Sequence, residues 1–295
     1  MLTLTAGDLE ATFVPEAGML GCSLRHRGEE LLGQRGGLAA YVAERKTMGI
    51  PLLHPWANRV ASRRFSVAGR EVAIDPARTP LRLDDAGLPM HGLLSAARGW
   101  RVERHDAAAL EAVFDFTADE ALMATFPFAH EVRMEATLRG PTLRITTTVR
   151  ATGDADVPIA FGFHPYLTLP GVERADWRVE IPVAQQLRLD ARMLPTGERV
   201  PVEVPSGPLG GRTFDDAYTA PADGAPFALE GAGRRIELAL EDGYAYSQVF
   251  APAGERLIAF EPMTAPTNAL VTGGPDLRLL APGEHYRAVF SISVR

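Results

Sequence analysis

The sequence predicts an all-β fold, a sandwich or barrel of antiparallel sheets with few short helices. Three observations carry this. Apolar residues recur with period two along most hydrophobic stretches, which puts alternate side chains on one face of a strand. Glycine and proline are abundant, 28 and 23 among 295 residues, and they interrupt those stretches at short intervals. No window carries the spacing of a long amphipathic helix. Many short strands joined by turns bury their apolar faces by packing sheet on sheet or by closing into a barrel.

Taken in order, residues 65–74 read as a tight hairpin. Leu110, Ala112, Phe114 and Phe116 alternate along the next strand. Val132, Met134, Ala136 and Leu138 share one face of residues 131–139, Gly140-Pro141 makes a turn, and Leu143, Ile145 and Val149 repeat the pattern in residues 142–150. Ile236, Leu238 and Leu240 alternate again. Arg256-Leu257-Ile258-Ala259-Phe260 is an apolar strand that is expected to end at Glu261, at a sheet edge facing a cleft. Tyr286, Ala288, Phe290, Ile292 and Val294 line one face of the last strand. Residues 201–211 and 220–226 are Pro/Gly-rich surface connections, because strand patterns resume on both sides. No Ser/Gly linker, charge run or repeat marks a boundary, so residues 1–295 are expected to form one domain.

Composition is that of a globular chain, 46% hydrophobic and 23% charged, which provides a large core. Net charge is −7 with acids and bases interspersed, which argues against nucleic acid or an anionic membrane as partner. The single cysteine, Cys22, makes neither an internal disulfide nor a cysteine metal cage and reads as a small core residue. The first residues lack the blocks of a signal peptide, and no apolar run is long enough to span a bilayer. A soluble cytoplasmic protein is the expectation. Neither G-x-G-x-x-G nor G-x-x-x-x-G-K-[ST] occurs in a nucleotide-binding context, and H-E-x-x-H and C-x-x-C are absent. No cofactor and no metal are expected, although scattered His and Glu residues leave a mononuclear site open.

Two separated motifs carry the candidate chemistry. One is Phe161-Gly162-Phe163-His164-Pro165-Tyr166, the other Phe260-Glu261-Pro262-Met263-Thr264. A histidine and a carboxylate form a minimal acid/base pair, one donating a proton while the other accepts one. The prolines beside them fix the local chain, or simply end strands. In Asn58-Arg59, the guanidinium offers a fork of donors to ligand oxygens, although a surface arginine at a strand end reads the same way. In Met90-His91-Gly92, the glycine suits close approach of a ligand to the backbone, and a loop histidine without a role is the plainer reading. Asp215-Asp216 offers carboxylates to sugar hydroxyls or makes a turn. Trp56 and Tyr166 offer aromatic faces to a sugar or pack in the core.

These motifs, in this order, resemble the aldose 1-epimerase (galactose mutarotase) family through nearly the whole chain. The resemblance rests on Asn58-Arg59-Val60, His91-Gly92, His164-Pro165-Tyr166-Leu167, Asp215-Asp216-Ala217-Tyr218, Glu261-Pro262-Met263-Thr264 and Leu280-Ala281-Pro282-Gly283-Glu284-His285-Tyr286. It implies a large antiparallel sandwich with a sugar in an open cleft on one sheet and no cofactor. It implies Glu261, ionised, as general base and His164, protonated, as general acid. It implies that His91, Arg59 and Asp215, with Asn58, bind the sugar. The partner is then a small-molecule sugar, and the assembly a monomer or homodimer. Leu93-Leu94 after His91-Gly92, and Gly162-Phe163 before His164, depart from the usual galactose-enzyme pattern and bear on which sugar is taken.

Other readings stay open at this stage. A related branch acts on hexose 6-phosphates and needs clustered cations, for which Arg59, Arg63, Arg64 and Arg98 are available. A non-catalytic carbohydrate-binding protein would not need the acid/base pair. A metal-dependent isomerase would respond to chelators.

Overall fold

In the computed structural model, which describes residues 1–295, 48% of residues lie in strands and 9% in helices, so the all-β expectation holds. The strand ladders are antiparallel throughout and form two large sheets and several small ones. The nine-stranded sheet is built around the hairpin His130–Arg139/Thr142–Ala151, with the last strand, His285–Val294, paired to it and to Arg234–Asp242. In that hairpin Val132, Met134, Ala136, Leu138, Leu143, Ile145 and Val149 are buried, as their alternation predicts. The second hairpin pairs Arg64–Val67 with Arg70–Ala73. Its turn residues Ala68 and Gly69 both have positive φ, the geometry that a two-residue hairpin demands.

The eight-stranded sheet carries the functional motifs. Its order runs Pro195–Pro201, Gln185–Leu189, Phe214–Thr219, Tyr246–Ala251, Ile258–Met263, Gly162–Phe163 and Leu52–Leu53, with Tyr166–Leu167 also paired to Ile258–Met263. The two large sheets pack face to face through aromatic contacts. Phe227 stacks on Phe260 at 5.1 Å, and Phe163 meets Phe290 at 5.0 Å. The strand period then decides where chemistry can sit: Phe260 points into the shared core, so its neighbour Glu261 points to the opposite face. A four-stranded sheet, Leu2–Ala6 to Glu29–Glu30, and the short helix Gly37–Glu44 complete the N-terminal part. No helix is long and apolar enough to cross a membrane.

One local expectation is corrected. Glu261 does not end its strand at a sheet edge. It lies inside Ile258–Met263, paired to Gln248 on one side in the interior of the sheet, and its strand continues through Pro262 to Met263.

Candidate active site

His164 and Glu261 are brought together. Gly162 pairs with Met263 and Tyr166 with Ala259, and the chain kinks away from the ladder between them at His164-Pro165. Counting inward from both pairs leaves His164 opposite Glu261. His164 Nε2 lies 3.0 Å from Glu261 Oε1, and both side chains are almost completely buried. His164 stacks on Tyr166, with ring centroids 4.1 Å apart, and meets the edge of Phe250. These aromatic walls hold the imidazole plane beside the carboxylate.

The two groups are perturbed in opposite directions. Burial pushes the Glu261 carboxyl well above the usual carboxylate range, with Asp215 adding to the rise and Arg59 opposing it. Burial pushes His164 well below the usual histidine value, assisted by the guanidinium groups of Arg35 and Arg82. Removing a charged form from water disfavours that form, so burial favours a carboxylic acid beside a neutral imidazole over the ion pair. The neutral pair holds the same number of protons as the carboxylate–imidazolium pair expected from sequence, with the proton on the other partner. Two groups this close titrate together, and their pKa values belong to the pair.

The remaining expected residues line the same cleft: Asn58, Arg59, His91 and Asp215 face it together with His164 and Glu261. Arg59 Nε donates to Asp84 Oδ2 at 2.8 Å, and its Nη1 donates to Asn58 Oδ1 at 2.7 Å. The fork is therefore aimed by two acceptors. Gln248, directly beside Glu261 in the sheet, donates from Nε2 to Asp215 Oδ1 at 2.7 Å. Burial raises Asp215 as well. His91 is buried and sits edge-on to His164 at 5.6 Å, and burial, with the neighbouring His164, pushes it well below the usual histidine value. Asn58 and His91 both have positive φ, a left-handed conformation uncommon for residues with a side chain, and the His91 N–H donates to the Asn58 carbonyl at 2.8 Å. Three residues that line this cleft each carry a buried polar atom with no protein partner: Glu261 Oε2, His164 Nδ1 and His91 Nδ1. Buried polar groups are normally paired, so these atoms leave unused hydrogen-bonding capacity beside the cleft.

Some sequence readings change. Gly92 serves the fold rather than a ligand: with φ at +72°, a Cβ there would stand 2.2 Å from the His54 carbonyl oxygen. Trp56 is 1% exposed and belongs to the core, whereas Tyr166 faces the cleft. Asp216 turns to Gln186, which donates to it at 2.8 Å. Arg63, Arg64 and Arg98 do not line the cleft, but Arg35 and Arg82 do. Those two lie in short segments without periodicity, and no pattern in the sequence connects them to the site. No three His, Cys, Asp or Glu side chains gather into a metal-binding group.

The architecture is that of the galactose mutarotase-like sandwiches. The chain matches the aldose 1-epimerase family model over residues 2–293, and it belongs to that family. Solved structures share the fold at low identity. A galactose mutarotase-like protein from Clostridium acetobutylicum superposes with a TM-score of 0.86 at 19% identity, covering 99% of this chain and 94% of that one. A galactose mutarotase related enzyme from Lactobacillus acidophilus gives 0.81 at 17%, covering 99% and 96%. The Slr1438 protein from Synechocystis sp. PCC 6803 gives 0.78 at 23%, covering 99% and 94%. No curated protein matches the chain's sequence.

Proposed function

We propose that this chain is an aldose 1-epimerase, a single-domain enzyme that interconverts the α and β anomers of an aldose with Glu261 as base and His164 as acid. The observation that supports this reading is the buried contact of His164 Nε2 with Glu261 Oε1 at 3.0 Å, at the floor of a polar cleft. Anomer exchange requires one proton to leave the C1 hydroxyl and one to reach the ring oxygen. In the ionised form of the pair, Glu261 takes the proton from the C1 hydroxyl. The C1–ring oxygen bond breaks as C1 becomes a carbonyl, and the ring oxygen takes the proton of His164.

The pair then stands as carboxylic acid and neutral imidazole, the form that burial favours. That match stabilises the enzyme while the open-chain aldehyde is bound. Rotation about C1–C2 presents the other face of the carbonyl. Reclosure returns the ring-oxygen proton to His164 and the Glu261 proton to O1, so both residues end as they began. A group placed for general acid or base catalysis typically contributes about 10²–10⁴-fold. The sequence of steps needs no metal, nucleotide or covalent intermediate.

Arg59, His91, Asn58 and Asp215 are assigned to the sugar's ring and hydroxyl oxygens. The test is nuclear magnetic resonance exchange spectroscopy on aldoses, with and without protein. Catalysed α/β exchange above the buffer rate supports the reading, and its absence across neutral and anionic aldoses contradicts it.

A further inference from the structure

The chemistry at C1 leaves part of the cleft's charge unused. Arg35, Arg59 and Arg82 all line it, but their partners differ. Arg59 is paired with Asp84, and Arg35 Nη2 meets Glu255 at 3.0 Å toward the surface. Arg82 has no carboxylate partner. Its one side-chain hydrogen bond runs from Nη1 to Thr47 Oγ1 at 3.2 Å. Thr47 Oγ1 lies 2.6 Å from the Tyr166 hydroxyl, to which Arg35 Nη1 donates at 3.3 Å. Two guanidinium groups therefore converge on one pair of hydroxyls, directly behind the ring that stacks on His164.

The backbone fixes this arrangement. Met90 pairs with Arg82 on one side and with Arg59 on the other, so the two arginines flank it two ladder spacings apart, about 10 Å. Arg82 is thus partly buried near the like charges of Arg35 and Arg59, and the carboxylate that acts on it, Asp85, forms no ion pair with it. An unpaired guanidinium in such a place is costly unless an anion joins it. There is also room for a substituent. The inner pocket, about 110 Å³, shares Arg59, Arg82 and Met90 with a wider lobe of about 310 Å³ that Asp84, Asp85 and Arg192 also border. Asp84 is neutralised by Arg59, and Asp85 is exposed.

We propose that the aldose taken by this site carries an anionic group, a carboxylate or a phosphate, bound by Arg82 with Arg35 beside it. Guanidinium forks match the oxygens of either group. The inference rests on the catalytic reading only for the position of C1.

The experiment compares matched aldoses with the native protein: D-glucose, D-glucuronate and D-glucose 6-phosphate, and the corresponding galactose set. Exchange rates give kcat/KM, and calorimetry gives affinity. The expected result is at least a tenfold preference for one anionic class over the neutral sugar. That preference falls to near unity in Arg82→Gln and is partly regained in Arg82→Lys, with circular dichroism confirming a folded chain. Preference for the uronates identifies a carboxylate, and preference for the 6-phosphates a phosphate. Equal or better turnover of neutral sugars, or an Arg82→Gln loss that is the same for neutral and anionic sugars, overturns the inference. If no sugar is turned over, calorimetry decides separately. Tighter binding of an anionic sugar that disappears in Arg82→Gln upholds the inference while the catalytic reading falls, and no such difference removes both.

Discussion

His164 stands opposite Glu261 in strand register even though the strand that would carry it is broken at that point. Gly162 and Tyr166 both pair with the strand Ile258–Met263, on either side of Glu261, and His164-Pro165 bows out between them. Proline cannot donate to a ladder, so the break is a consequence of Pro165. It frees the imidazole from a regular strand position while keeping it level with the carboxylate. The 3.0 Å contact follows from this pairing.

The pH dependence follows from the direction of the two shifts. Glu261 is raised and His164 lowered, so from acid upward the doubly protonated pair first loses the imidazolium proton and later the carboxylic acid proton. The one-proton state lies between. Activity is expected to fall as pH drops through the lowered histidine value, where the pair gains a second proton. It is expected to fall again as pH rises through the raised glutamate value, where the pair loses its last one. A kcat/KM profile between pH 4 and 10 should be bell-shaped, with its alkaline limb removed in Glu261→Gln. An alkaline limb that survives that substitution contradicts the assignment.

Arg59 is expected to serve both stability and binding. Its side chain is 13% exposed and that of Asp84 10%, so Arg59→Ala leaves a mostly buried carboxylate oxygen without its donor. The expected cost is about 1–3 kcal/mol, read from urea denaturation. Adding Asp84→Asn should recover part of that stability without recovering sugar affinity. Affinity restored in the double variant would show that Arg59 acts only through the fold.

A second buried pair predicts acid sensitivity. His54 Nε2 lies 2.7 Å from His130 Nε2, and His130 Nδ1 lies 2.6 Å from the Phe128 carbonyl, which fixes His130 Nδ1–H as donor and His54 as donor to His130. Burial lowers both, His130 from 6.5 to about 4. A depressed folded-state value means that the unfolded chain binds more protons between these limits. The stability contribution is then full above pH 6.5 and lost as pH falls toward 4, on the order of 3 kcal/mol for His130. Urea midpoints should decline from pH 7 to pH 4.5, and the slope should be shallower in His130→Leu. Identical slopes in the two proteins would remove this explanation.

The strands were legible where one face is buried and the other is not. The alternation of Val132, Met134, Ala136 and Leu138 needed only the period of a strand. The cleft was legible through residues whose neighbours are unusual, His164 and Glu261 beside prolines and Asn58-Arg59 in an apolar stretch. The position of Glu261 inside its sheet was not legible, because Pro262 reads as a strand end. Its interior placement depends on Gly162 and Tyr166 pairing with the other side of its strand, a long-range contact. Arg35 and Arg82 escaped notice for the same reason. Their meeting at Tyr166 and Thr47 joins segments far apart in the chain, and nothing local marks it.

The most direct measurement is the exchange rate of a bound aldose in Glu261→Gln and His164→Asn, alongside its affinity. Glutamine keeps the size of Glu261 but does not accept the C1 proton, and asparagine removes the imidazole that protonates the ring oxygen. Each variant is expected to lose roughly two to four orders of magnitude in kcat, with sugar affinity within a small factor of the native protein. Near-native exchange in Glu261→Gln, with the protein folded and binding sugar, would contradict the central claim that this buried pair moves the protons.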